Sequence, residues 1–201
     1  MHFGFDEDDD AIRDAVRSML RAACPPSVVR DAWTAPPGAL ARDVWDQLVD
    51  MGVPALLVPE DEGGLGLDDR SLVQVLEEIG YAGVPLPVVE SVVLAPTLGL
   101  PVGPLTATDL GGPHVPMAAD ADRLLLRGPG AAIHLVAPSD AVITPLASTD
   151  GARRLAEVRW VAADSTVACD DPDVVARAMD RGTVATAAVL VGLLRRLLDM
   201  T

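Results

Sequence analysis

Apolar positions in the first half of the chain recur at steps of three and four residues. Ile12, Val16, Met19, Leu20 and Ala23 share one face of a predicted helix that opens after an acidic run and ends at Pro25-Pro26. Val28 to Trp33 predicts a further turn or two, and Thr34 to Gly38 a proline-rich break. A second helix is predicted near Ala39 to Met51, with Val44, Trp45, Leu48 and Val49 on one face and Gly52 as its stop. Val53 to Pro59 reads as an extended apolar run punctuated by prolines, and Glu60 to Gly66 as a turn-rich loop. Asp68 or Asp69 caps a third helix whose inward residues are Leu72, Val75, Leu76 and Ile79. Gly80 to Pro87 breaks it, and a fourth apolar helix is predicted from Pro87 to Leu98.

The texture changes at Gly99. Glycine and proline are frequent up to Pro116, so residues 99–114 read as a linker. Short β runs follow. Arg123 to Arg127 and Ala132 to Val136 flank Gly128-Pro129-Gly130 as a hairpin, Val142 to Leu146 is a third strand, and Leu155 to Val161 a fourth. On the fourth, Ala156, Val158 and Trp160 alternate with Glu157 and Arg159. Asp170-Asp171-Pro172 precedes a long helix from Asp173 to about Met200, with a possible interruption at Gly182 and no element to cover its second side. The fold class read from this order is α+β: an N-terminal helical bundle (1–98), a small antiparallel β unit (115–172) and one long C-terminal helix (173–201).

Composition adds limits. Half of the 201 residues are hydrophobic, enough for a real core, but only 3% are aromatic, so Ala, Val and Leu must build it. Net charge is −15, which argues against nucleic acid or an anionic membrane as partner, and all 15 basic residues are arginine. The block Asp6 to Asp10 suits the positive end of a helix dipole; a metal site there has no supporting cluster. Cys24 and Cys169 stand far apart, in no metal spacing, and read as reduced thiols. The apolar stretch from Gly182 to Leu194 falls short of the roughly 20 residues of a membrane span. With an acidic rather than basic start and no leader pattern, the expectation is a soluble cytoplasmic protein.

The chemical inventory is thin. His2 is terminal, His114 lies in the Gly/Pro stretch and His134 sits mid-strand, so each reads as structural or surface. Gly63-Gly64-Leu65-Gly66 reads as a tight turn, with phosphate cradling as the weaker alternative. No catalytic, cofactor-binding or metal-ligating residue is assigned from these patterns.

The segment from Trp45 to Leu67, with Pro59-Glu60 running into Gly63-Gly64-Leu65-Gly66, resembles acyl-CoA dehydrogenases. So does Leu76-Glu77-Glu78-Ile79-Gly80 at the end of the third helix, and the opening Phe3-Gly4-Phe5 with Ile12-Arg13-Asp14. Val115 to Leu126 and Ile143 to Arg159 resemble strands of that family's middle domain, and Thr183 to Thr201 the first helix of its C-terminal domain. The resemblance implies FAD-dependent α,β-dehydrogenation of acyl-CoA thioesters, as in fatty acid or steroid side-chain degradation. The family's Leu-Thr-Glu-Pro and Gly-Ser-Asp stretch, which contacts flavin and thioester, has no counterpart here: Leu105-Thr106 continues as Ala107-Thr108-Asp109 and is left unmapped. The region that carries the family's catalytic Glu and FAD contacts has no matching position either. The expectation is therefore a degenerate subunit acting with a homologous catalytic subunit, or self-associating through helix 182–200, with FAD binding by this chain alone doubtful. The alternative is a non-catalytic interaction module or truncated remnant without flavin.

Overall fold

The computed structural model describes residue 5, residues 7–36 and residues 41–201. His2, Phe3-Gly4, Asp6 and the expected helix start at Ala39 lie outside the described residues.

The helical unit forms where periodicity places it. α1 (Glu7–Ala23) buries Val16 and Leu20, and four acidic residues occupy its first turn, where the helix dipole favours them. α2 (Pro26–Ala32) and α3 (Arg42–Asp50) follow, with Val44, Trp45 and Leu48 of α3 in the core. Val49, expected beside them, is exposed. The Trp45 indole N–H donates to the Gly103 carbonyl at 2.7 Å, which satisfies its one polar atom inside the core. α4 (Asp69–Ala82) begins at Asp68, whose side chain accepts from the backbone N–H groups of Arg70 and Ser71. It ends at Gly83 in the left-handed region at φ +66°. The predicted break at Gly80 is thus a continuous helix as far as Ala82. A π-helical turn, Glu90–Leu94, runs into Ala95–Thr97, and together these form α5.

Two readings of the linking segments are corrected. Val53–Ala55 is a 3-10 turn rather than part of an extended run, because Pro54 at the start of the turn fixes φ near its helical value. Within the stretch read as linker, Thr106–Thr108 forms β1, fully enclosed by its neighbours. Three residues without alternation, set among prolines and glycines, give no period from which to read a strand.

The β unit has two sheets. One runs β1-β3-β4-β7, with β3 at Arg123–Arg127, β4 at Ile133–Val136 and β7 at Val167–Cys169. The other runs β2-β6-β5, with β2 at Val115–Pro116, β5 at Val142–Pro145 and β6 at Leu155–Arg159. The expected hairpin is β3-β4, antiparallel with Leu124 opposite Val136. One pairing departs from the antiparallel pattern: β1 lies parallel to β3, with Thr106 opposite Arg123. A parallel neighbour needs a crossover, and here the loop carrying β2 supplies it.

α6 (Pro172–Asp199) is unbroken through Gly182. The glycine is a packing device: a Cβ there would sit 2.8 Å from Leu94 Cδ2. The inward stripe of α6 is small throughout, with Ala178, Gly182, Ala185, Ala188 and Gly192 buried. At Gly192 a Cβ would lie 2.0 Å from the Glu77 carbonyl oxygen, and at Gly80 of α4 it would lie 2.1 Å from that of Val189. α4 and α6 therefore touch backbone to backbone. The opposite face of α6 leaves Val184, Leu190, Val191, Leu194, Leu197 and Leu198 exposed.

Candidate functional site: a cleft between three units

The close contact of α4 with α6 is reinforced by charge. Glu78 is 3% exposed and accepts from Arg17 of α1 at 2.9 Å and from Arg195 of α6 at 2.5 Å. Burial would raise its carboxyl, but these two guanidinium groups outweigh that and hold it below the ordinary glutamate range. Glu77 meets Arg195 at 3.4 Å. Tyr81 lies between Arg195 and Arg196, whose guanidinium carbons are 5.1 and 5.3 Å from its ring centre, and its hydroxyl donates to Asp199 at 2.9 Å. The run Glu77-Glu78-Ile79-Gly80-Tyr81 thus anchors α6 through three kinds of contact.

Several polar contacts tie the β unit to the helices, among them those of Ser91 and Arg154. Ser91 of α5 is fully buried; its hydroxyl donates to the Pro87 carbonyl at 2.7 Å and accepts from the Thr106 backbone N–H at 2.9 Å. Arg154 donates to buried Asp120 at 2.9 Å and to the Ala35 carbonyl, also at 2.9 Å, just beyond α2.

Between these ties the three units leave a cleft of about 700 Å³, walled by residues 83–90, by β1 and its following loop, and by α6. A second hollow of about 410 Å³ continues it along α6 towards Met179 and Leu190. Val89, Glu90, Thr108, Gly111 and Thr186 line both, so the two form one groove. Its walls are mainly aliphatic: Val84, Leu86, Val88, Val89, Met117 and Val189 among them. Glu90 stands at the junction. Burial pushes its carboxyl above the ordinary range, opposed by a hydrogen bond from its own backbone N–H and by the Arg153 guanidinium. Thr108 spends its hydroxyl on the Leu125 carbonyl and the Leu110 N–H. Thr186 donates to the Gly182 carbonyl of its own helix.

The residues singled out from sequence fall elsewhere or at the rim. His114 is exposed on the cleft edge. His134 is buried, with Nδ1 2.8 Å from the Thr166 hydroxyl and its ring 4.9 Å from Trp160, a structural role. Cys24 is buried and desolvation pushes its thiol up to about 11, so it is inert at neutral pH. In the Gly63–Gly66 loop the N–H groups of Gly63, Gly64, Leu65 and Gly66 all bond to carbonyls of residues 55–60. None remains to cradle a phosphate, which favours the turn reading. Among the described residues no His/Cys/Asp/Glu cluster has the makings of a metal site, and no helix is long and apolar enough to cross a membrane. Glu90 escaped the sequence reading; its signal was a single acidic residue inside an otherwise apolar helix.

Residues 6–100 match the acyl-CoA dehydrogenase N-terminal domain. That match places the N-terminal half of the chain in the acyl-CoA dehydrogenase family. It is 27% identical over 207 residues to the acyl-CoA dehydrogenase IpdE2 of Mycobacterium tuberculosis, a match covering 97% of this chain and 63% of that relative. The chain therefore spans less than two thirds of the length of that relative. The ChsE4-ChsE5 complex from Mycobacterium tuberculosis superposes with a TM-score of 0.77 at 24% identity, over 100% of this chain and 67% of that one. A variant of the Tcur3481-Tcur3483 steroid ACAD superposes with a TM-score of 0.74 at 20% identity, over 96% of this chain and 65% of that one. These likenesses establish the acyl-CoA dehydrogenase fold.

A flavin dinucleotide places particular demands on such a fold. Its diphosphate needs cations or free N–H donors. The described lining of the cleft offers Arg153 and His114 at an exposed edge, set against the carboxylates of Glu90 and Asp150. That donor set does not suit a diphosphate, and no reaction step through a flavin follows from the described residues of the cleft.

Proposed function

We propose that this chain is an acyl-CoA dehydrogenase-like subunit that works beside a homologous catalytic subunit. In this reading it contributes an acyl-binding cleft and a docking face, while the partner supplies the base and most of the FAD site. The observation that carries the reading is the pairing of an aliphatic cleft with a donor set unsuited to the cofactor's diphosphate. The exposed apolar face of α6, from Val184 to Leu198, supports docking on a related subunit, since a contiguous apolar stripe of that kind marks an interaction surface. One structural relative is a complex by its name and another carries a paired name, which is consistent with a two-subunit arrangement. The substrate class is an acyl-CoA thioester with a fatty or steroid side-chain acyl group. The protein resides in the cytoplasm in this reading, in keeping with two free cysteines.

Purification with and without a co-encoded full-length homologue tests the proposal. Visible flavin absorbance that appears only in the complex is expected. A colourless, well-folded monomer that ignores the homologue overturns it.

A further inference from the structure

The groove has one feature that an acyl pocket for plain hydrocarbon does not need. Glu90 sits where its two hollows meet, on the first residue of the π-helical turn Glu90–Leu94. A π turn inserts a residue into the helical register and re-aims the side chains around it, and such turns gather at functional sites. The neighbours of Glu90 are otherwise committed. The Thr108 hydroxyl is taken up by the Leu125 carbonyl of β3 and the Leu110 N–H, the Thr186 hydroxyl by the Gly182 carbonyl of its own helix, and Ser91 points into the core towards Pro87 and Thr106. Among the described residues no salt bridge reaches Glu90; its own backbone N–H and the Arg153 guanidinium of the β unit act on its carboxyl electrostatically.

Closing a hydrocarbon over such a carboxyl would strip its water and return nothing, which is costly for any polar group. A ligand oxygen placed there returns the lost hydrogen bond. We infer that Glu90 is a specificity-determining residue which selects acyl groups carrying a hydroxyl along or at the end of the hydrocarbon, over unsubstituted chains of the same length. A hydroxyl donates to a carboxylate and accepts from a carboxylic acid, so it pairs with either form of the side chain. The aliphatic walls on both sides, Leu86 and Val88 towards one hollow and Leu94 and Leu190 towards the other, take the remaining hydrocarbon. This inference rests on the acyl-cleft reading above and deepens it.

Isothermal titration separates the two. The full chain, alone and in complex with its co-encoded homologue, is titrated with matched pairs of unsubstituted and ω-hydroxyacyl-CoA, from octanoyl to hexadecanoyl. At the length that reaches Glu90, the hydroxylated thioester is expected to bind about tenfold tighter or better, the worth of one hydrogen bond to a charged group. Glu90→Leu abolishes or reverses that preference while keeping affinity for the unsubstituted chain. If Glu90→Leu does not fold, as judged by circular dichroism, Glu90→Ala serves in its place. Equal affinity of the wild-type protein for both members of every pair overturns the role of Glu90 and leaves the cleft intact. Preference that persists in the variants overturns it also. Absence of binding for every acyl-CoA, alone and in the complex, overturns the cleft reading and this inference with it.

Discussion

At the scale of single residues, glycines on facing helices decide how near α4 and α6 come. Gly80→Ala or Gly192→Ala gains about 1 kcal/mol of helix propensity but drives a methyl group into a carbonyl about 2 Å away. Overpacking of this kind costs about 1–3 kcal/mol and should dominate, so either variant lowers the urea midpoint of unfolding. Glu78 gives a pH signature. Its carboxyl is depressed in the folded state, so its contribution is complete above the ordinary glutamate range and is lost as pH falls through the depressed value. Glu78→Gln should flatten the acid limb of stability against pH, measured by thermal melts across the acidic range. Glu90 has the opposite sign. Its raised carboxyl penalises the folded state as pH rises past the ordinary range, so Glu90→Gln is expected to raise the melting temperature at neutral pH. The motif Glu77-Glu78-Ile79-Gly80 was legible as a family mark, yet its physical content was not. A sequence does not say which partner helix two adjacent glutamates will meet, here more than a hundred residues later.

Elements were legible in proportion to their own periodicity. α1, α3 and α4 bury apolar residues at helical spacing, and the β3-β4 hairpin carries its turn residues with it. β1 was missed because its burial depends on a non-local parallel pairing with β3 and on Ser91, neither of which marks the local sequence. Gly182 was read as a break for the opposite reason. Glycine is a poor helix former by propensity, and the compensation, close contact with Leu94, is tertiary. Ser91→Ala tests the junction of α5 with β1. It leaves the buried Thr106 N–H without an acceptor, which costs about 1–3 kcal/mol. In a domain of this size the melting temperature should fall by about 2–4 °C for each kcal/mol.

For the whole molecule, the order of helical unit, β unit and long helix was readable, and the cleft between them was not. A groove belongs to the spacing of units, and no segment of the chain encodes it alone. The outer face of α6 belongs to the same scale. Leu194→Arg with Leu198→Arg leaves the buried stripe of α6 untouched and should preserve the melting temperature of the isolated chain. It should also weaken co-elution with the homologous subunit in size-exclusion chromatography. The Ser91 hydroxyl, finally, makes one amide proton a reporter. The Thr106 N–H is held by a side chain of the other unit. Its exchange with deuterium therefore requires the two units to part, while amides inside the β3-β4 ladder require the sheet to open. If both exchange at one rate, the chain unfolds as a single cooperative body. If Thr106 exchanges first, the units separate while each is still folded, and the groove between them is the line along which the molecule opens.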